Sequence, residues 1–149
     1  MTPKPADPPF PPSSRLEVRV LYADTDMMGV VYHATYLRWF EAGRGDYMRR
    51  RGVSYAAIER SGLALPVVEA HAVFKKPAVY DDLLEVSTRV GELGGARVRF
   101  DYGISRGLEL LVTGHTWHAA VIRGKGPIRL PVHLKNALLA SETAPRSER

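Results

Sequence analysis

No cysteine occurs among the 149 residues of this chain. Its absence excludes disulfide bonds, a thiolate nucleophile and metal sites with cysteine ligands. The chain also lacks any apolar run near the roughly 18–20 residues that a membrane-spanning helix requires. The first twelve residues contain six prolines and no apolar core, so they do not resemble a secretory signal peptide. We therefore expect a cytoplasmic protein with no membrane span.

The chain has fewer acidic than basic residues. It contains 16 Asp and Glu and 21 Lys and Arg, which gives a formal net charge of +5. Such an excess attracts any polyanion, so charge alone leaves both nucleic acid and coenzyme A as ligands. The sequence contains no zinc-finger spacing, no glycine-rich phosphate loop and no aromatic RNA-binding motif. We therefore expect no nucleic-acid partner.

Hydrophobic residues make up 45% of the chain and charged residues 25%, which is the balance of a soluble globular domain. The length suits one domain. Proline cannot donate a backbone hydrogen bond, so the proline-rich start predicts a disordered tail over residues 1–14. The polar end predicts a second disordered tail over residues 141–149. The folded domain should cover about residues 15–140.

Apolar periodicity predicts the order of the elements. Alternation from Leu16 to Tyr22 predicts a half-buried strand, and a helical period begins at about Ala34 and stops at Arg51 before Gly52. The apolar stripe of this long helix consists of Tyr36, Leu37, Phe40, Gly43, Tyr47 and Met48. A short helix over about 54–61 follows it.

After Pro66, renewed alternation predicts four strands, of which the last runs from about Glu109 to Arg123. Short connections that contain glycine favour antiparallel hairpins, so we expect a four-stranded meander. A single long helix across one face of the sheet would bury that face. The uncovered edges favour pairing between chains.

The loop between the first strand and the long helix carries the candidate chemistry. Asp24 and Asp26 follow the strand, and His33 stands at the start of the helix, where open backbone amides stabilise negative charge. A carboxylate beside such amides suffices for acyl transfer without a metal or cofactor. An aspartate before a helix also serves as a cap or turn residue, so the residues alone leave both roles open.

The remaining histidines do not predict a metal site. His115 and His118 lie three apart on a strand and therefore face opposite sides of the sheet. His71 and His133 have no ligand partners nearby in the sequence. We expect no metal.

The run from Leu21 to Ala42 resembles the signature of 4-hydroxybenzoyl-CoA thioesterase-like proteins, and is most similar to the Tol–Pal-associated acyl-CoA thioesterases. The segment from Phe74 to Leu84, with its Pro-Ala pair and Asp-Asp turn, resembles a second motif of that family. The resemblance covers about residues 16–135. It implies an α+β hotdog fold, in which a five-stranded antiparallel sheet wraps around one long central helix.

The resemblance also implies roles for individual residues. Asp26 would be the catalytic nucleophile or general base, and the amide of His33 would bind the thioester oxygen. The His33 side chain and Tyr22 would assist, whereas Asp24 would hold the loop. The residues expected at the substrate are Gly29, Val30, Val31, Tyr32, Met27, Met28 and Arg97. The two methionines are unusual for the family, and they either line the acyl pocket or fill a gap in the packing.

The predicted function is hydrolysis of a small or medium acyl-CoA by a homo-oligomer of two or four chains, without a cofactor. Two alternatives share the fold. One is a non-catalytic protein that binds acyl-CoA or acyl-carrier protein, and the other is a hydratase or dehydratase.

Overall fold

A computed structural model describes residues 13–142 of the chain. The longest helix, α1, spans Thr35–Arg49, and the two shorter helices are α2 (Tyr55–Arg60) and α3 (Val132–Leu138). The strands, in chain order, are β1 (Ser13–Arg19), β2 (Leu63–Ala64), β3 (Val67–Phe74), β4 (Leu83–Gly94), β5 (Arg97–Arg106), β6 (Glu109–Ala119), β7 (Val121–Ile122) and β8 (Gly126–Pro127).

The main sheet has five antiparallel strands in the order β1-β4-β5-β6-β3. The predicted five-stranded antiparallel sheet is thus confirmed, but the predicted four-stranded meander is wrong. Only β4, β5 and β6 form a meander, because β3 pairs with β6 rather than with β4. A second sheet, β2-β7-β8, holds the end of the strand that was expected to continue to Arg123.

Two predicted boundaries need correction. β1 begins at Ser13, because Ser14 is buried and its hydroxyl donates to Glu142 Oε1 at 2.6 Å while accepting from Arg51 at 2.7 Å. Residues 13 and 14 of the predicted tail therefore belong to the sheet, and the rest of that tail lies outside the described residues. Of the predicted tail over 141–149, only residues 141 and 142 are described. Sequence reasoning also missed α3, which follows Pro131.

Helix α1 packs closely on β1 and β4. At Gly43 an added Cβ would lie 2.5 Å from Thr88 Oγ1 and 2.8 Å from Val86 Cγ1, so only glycine permits this approach. One turn earlier the ring of Phe40 stacks on Tyr102 with centroids 4.4 Å apart. The expected stripe is buried except at Leu37, which is 43% exposed and therefore lies outside it.

A chain of buried hydrogen bonds crosses the core from α1 to Leu65, the residue that follows β2. Arg44 donates to Tyr102 Oη at 2.9 Å, Tyr102 bonds Thr116 Oγ1 at 2.6 Å, and Thr116 bonds His118 Nε2 at 2.8 Å. His118 Nδ1 lies 2.9 Å from Leu65 O. Because that carbonyl only accepts, Nδ1 carries a proton. Burial lowers the pKa of His118 to about 4, so the ring is neutral at pH 7 and its Nε2 accepts from the hydroxyl of Thr116.

We expect Gly43→Ala to lower the free energy of unfolding by about 1–3 kcal/mol, because the new methyl group overlaps β4. Urea denaturation measures this change. The matched control is Gly94→Ala, since an added Cβ at Gly94 meets no atom within 4 Å. A Gly43→Ala protein as stable as the control would contradict the close contact.

We also expect acidification to lower the free energy of unfolding, because of His118. Burial, aided by the charge of Arg44, lowers the pKa of His118 to about 4, whereas the unfolded chain protonates near pH 6.5. Between these values the unfolded state binds more protons, so acidification from pH 7.5 to 4.5 costs about 2–3 kcal/mol through this residue.

Urea denaturation at both pH values measures the change. Other titrating groups contribute equally to the wild type and to a variant, so the difference between the two proteins isolates His118. His118→Gln should lose less stability on acidification than the wild type. His133→Gln, at an exposed histidine, should behave as the wild type does. Equal losses in all three proteins would show that the pKa of His118 is not lowered by folding.

Candidate active site

The loop after β1 is a tight hairpin that leads into α1. The amide of Asp26 donates to Val30 O at 2.9 Å, that of Gly29 donates to Asp26 O at 2.9 Å, and that of Tyr32 donates to Asp24 O at 2.8 Å. Gly29 has φ +78°, a conformation that favours glycine at the tip of the hairpin. The predicted substrate residues from Met27 to Tyr32 therefore form one continuous structure.

The two aspartates of the loop have different surroundings. Asp24 is buried, and its Oδ2 accepts from the amide of Leu21 at 2.8 Å. Its carboxylate is thus engaged in holding the loop, as expected. Asp26 is half-buried, and its Oδ1 accepts from the amide of Met28 at 2.9 Å. Within residues 13–142, Oδ2 of Asp26 has no hydrogen-bond partner, so this oxygen is available for chemistry.

The start of α1 offers unpaired amides. No side chain caps the helix at Ala34. In the part of the chain that the structure describes, the amide of His33 has no acceptor, while that of Thr35 donates to Tyr32 O at 2.9 Å. The positive end of the helix dipole lies at the same place. The amide to which the family resemblance gives the thioester oxygen is therefore free to donate.

Aromatic side chains line one side of this helix start. The His33 ring lies 4.5 Å from that of Tyr32 and 6.4 Å from that of Phe74, measured between centroids. Tyr36 packs on Phe74 at 5.5 Å, and its hydroxyl accepts from the amide of Ala78 at 3.3 Å. Phe74 is half exposed, so the apolar surface beside His33 is open in a single chain.

The segment from Ala78 to Asp82 anchors the loop, a role that sequence reasoning did not assign. The amide of Val31 donates to Ala78 O at 2.9 Å. The amide of Val20 donates to Asp82 O at 2.9 Å, and that of Asp81 returns a bond to Val20 O at 3.0 Å. The family motif from Phe74 to Leu84 was the available signal. Its Pro-Ala and Asp-Asp positions provide backbone partners for the segments on either side of Asp26.

Four predicted positions are not brought against Asp26 within one chain. The ring of Tyr22 is 78% exposed and packs on Tyr80 at 5.7 Å. Met27 and Met28 project from the hairpin, so they fill no gap in their own chain. Arg97 lies over Trp117 at 4.6 Å, at the end of the sheet opposite to Asp26.

Residues 13–142 contain no group of three or more side chains suited to a metal ion. In the same part of the chain, no helix has the length and apolarity to cross a membrane.

The model of the Thioesterase-like superfamily matches residues 20–138. The chain belongs to this superfamily. An acyl-CoA thioesterase of Haemophilus influenzae is 38% identical over 122 residues, which cover 80% of this chain and 90% of that protein. A putative esterase of Aquifex aeolicus is 34% identical over 107 residues, covering 72% of this thioesterase and 84% of the relative.

Solved structures agree with these relatives. A probable thioesterase from Bartonella henselae is 37% identical with a TM-score of 0.76, and the match covers 80% of this chain and 100% of that one. A variant of 4-hydroxybenzoyl CoA thioesterase in complex with 4-hydroxybenzoyl CoA has a TM-score of 0.78 at 20% identity, with coverage of 85% and 98%. The latter likeness concerns the fold alone. The predictions of a hotdog fold and of a thioesterase are confirmed.

We expect the two loop aspartates to differ in their effect on stability. Asp24→Ala leaves the amide of Leu21 without its acceptor and should lower the free energy of unfolding by about 1–3 kcal/mol. Asp26→Ala should change it by less than about 1 kcal/mol, since its bond lies at the exposed hairpin tip. Urea denaturation of both variants measures the difference, and equal effects would contradict the division of roles.

Proposed function

We propose that this thioesterase hydrolyses a small or medium acyl-CoA, with Asp26 as the catalytic carboxylate and the amide of His33 as the oxyanion donor. The observation that supports the proposal is that, among residues 13–142, Oδ2 of Asp26 and the amide of His33 both lack a hydrogen-bond partner, on a hairpin that leads directly into α1. The name of the Haemophilus influenzae relative, an acyl-CoA thioesterase, supports the substrate class.

The chemistry follows from these two groups. Asp26 either removes a proton from the water that attacks the thioester carbonyl, or attacks that carbon itself to give an anhydride that water then cleaves. In both routes the carbonyl oxygen gains negative charge, which the amide of His33 and the helix dipole stabilise. The thiolate of coenzyme A leaves and takes up a proton. This route requires no metal and no cofactor.

A second copy of the chain completes the acyl pocket in this proposal. Two cavities of the single chain, of about 460 Å³ and about 280 Å³, are lined by other elements than the hairpin of Asp26. Strand β3 is an edge strand whose Val67, Val73 and Phe74 are about half exposed. Antiparallel pairing of two β3 edges would cover this apolar surface.

Pairing of the β3 edges would also allow Arg97 to contact the substrate. In an antiparallel pair of sheets, the end that carries Arg97 in one chain lies beside the Asp26 end of the other. A cation at that boundary suits the phosphates of coenzyme A. We propose that the enzyme is a homo-oligomer for this reason, and that it acts in the cytoplasm as expected from the sequence.

The decisive test is Asp26→Asn, which keeps the size of the side chain and removes its charge. We expect kcat to fall by about 10²–10⁴-fold. Release of free thiol from a panel of short, medium, long and aromatic acyl-CoAs measures the activity, and small or medium chains should give the highest kcat/KM.

The matched control is Asp24→Asn, whose amide oxygen still accepts from Leu21 and which should stay within a few-fold of the wild type. An Asp26→Asn enzyme as active as this control would contradict the mechanism. A wild type that binds a non-hydrolysable thioether analogue without turning over any acyl-CoA would instead be a binding protein.

A further inference from the structure

The hydroxyl group of Tyr36 makes a contact that its place in the apolar stripe of α1 does not require. The ring packs on Trp39 with centroids 5.4 Å apart and on Phe74 at 5.5 Å, and a phenylalanine would keep both contacts. The oxygen accepts from the amide of Ala78 at 3.3 Å. Among residues 13–142 this amide is the only hydrogen-bond partner of the hydroxyl, so the oxygen has a role separate from the packing of the ring.

Ala78 connects the first turn of α1 to the hairpin of Asp26. Its amide is held by Tyr36, and its carbonyl oxygen accepts from the amide of Val31 at 2.9 Å. Val31 pairs across the hairpin with Thr25, the residue directly before Asp26. The two hydrogen bonds of Ala78 therefore join the helix to the paired backbone that carries Asp26.

Water has no access to this connection. Tyr36 is 3% exposed, and Ala78 is fully buried. A buried amide that loses its acceptor either remains unpaired, which costs free energy, or moves to find another partner. Without the hydroxyl, the segment that holds Val31 would thus no longer be fixed to α1.

The covalent link between the hairpin and α1 does not determine their relative orientation. Residues 32–34 join Val31 to Thr35, so the two elements stay close, but each of these residues has two rotatable backbone dihedrals. The direct side-chain contact of Thr35 with the hairpin is long, with Oγ1 at 3.5 Å from Asp24 O. The direction in which Asp26 points therefore depends strongly on the connection through Ala78.

We propose that Tyr36 is a positioning residue of the thioesterase, whose hydroxyl sets the orientation of Asp26 relative to the amide of His33. Ala78 and Val31 transmit the constraint. The positioning role rests on the function proposed for Asp26 and His33. A carboxylate that is slightly misplaced attacks or activates water less well, while the substrate still binds the same surface. Loss of the hydroxyl should therefore lower kcat and leave KM nearly unchanged.

The kinetic test is Tyr36→Phe, which keeps the ring and removes the hydroxyl. We expect kcat for an acyl-CoA to fall by about 10–100-fold, with KM within about threefold of the wild type. A variant that raises KM without lowering kcat would show that the hydroxyl binds the substrate, and this would overturn the positioning role.

The matched control is Tyr47→Phe, the same substitution about three turns further along α1. Tyr47 is fully buried, and its hydroxyl donates to Leu138 O at 2.6 Å. This variant also loses one buried bond between a hydroxyl and the backbone, but at a distance from the hairpin. It should keep the wild-type kcat. An equal loss of kcat in both variants would contradict a specific role for Tyr36.

Amide hydrogen exchange tests the connection without an activity assay. In the wild type the amides of Val31 and Ala78 should exchange slowly, as buried and bonded amides do. Both should exchange faster in Tyr36→Phe and stay slow in Tyr47→Phe. Fast exchange at Ala78 in the wild type would overturn the proposal on its own, whatever the variants do.

Asp26→Asn separates the failure of this proposal from the failure of the proposed function. If Asp26→Asn is inactive while Tyr36→Phe keeps the wild-type kcat, the positioning role is wrong and the proposed function stands. If Asp26→Asn is as active as the wild type, the proposed function is wrong and the positioning role falls with it.

Discussion

The close contact between Gly43 and β4 determines where the whole site is built. With no side chain at this position, α1 lies directly on Val86 and Thr88, and the stacking of Phe40 on Tyr102 holds the preceding turn. A rigid helix that is fixed in its middle also has a fixed N-terminus. The open amide of His33 therefore has a defined place relative to the sheet, which an oxyanion donor requires.

The second requirement of the proposed reaction is a carboxylate on the same loop that keeps an oxygen free of other hydrogen bonds. Two aspartates, Asp24 and Asp26, have separate roles in the loop. Asp24 is buried and accepts from the amide of Leu21 at the base of the hairpin, while among residues 13–142 one oxygen of Asp26 has no hydrogen-bond partner. The bonds of Val31 to Ala78 and of Val20 to Asp82 tie the hairpin to the connection between β3 and β4. Local hydrogen bonds and distant backbone partners together position Asp26.

Much of this could be predicted from the sequence, because periodicity and the loop motif are local. The strand before Asp26 and the helix after His33 follow from the spacing of apolar residues, and α1 starts within one residue of its prediction. The partner of β3 could not be predicted, since alternation fixes the face of a strand but not its neighbour. The placement of Arg97 at the far end of the sheet escaped for the same reason.

The sequence also could not predict that the charged side chain of Arg44 is buried. Arg44 lies between two glycines in a helix, and nothing in its spacing shows that it reaches Tyr102 and begins a buried chain of bonds to His118. Its first bond joins Arg44 and Tyr102, which are 58 positions apart in the sequence. Sequence patterns identify which residues face the core, but the pairing of polar groups inside it is set by the packed structure.

The most direct test of the account is a crystal structure of an inactive Asp26 variant with an acyl-CoA bound. We predict that the thioester oxygen lies about 3 Å from the backbone nitrogen of His33, with the carbonyl carbon facing the side chain at position 26. A thioester bound elsewhere, or one whose oxygen is held by a different donor, would contradict the central claim that the start of α1 and its hairpin form the reaction site.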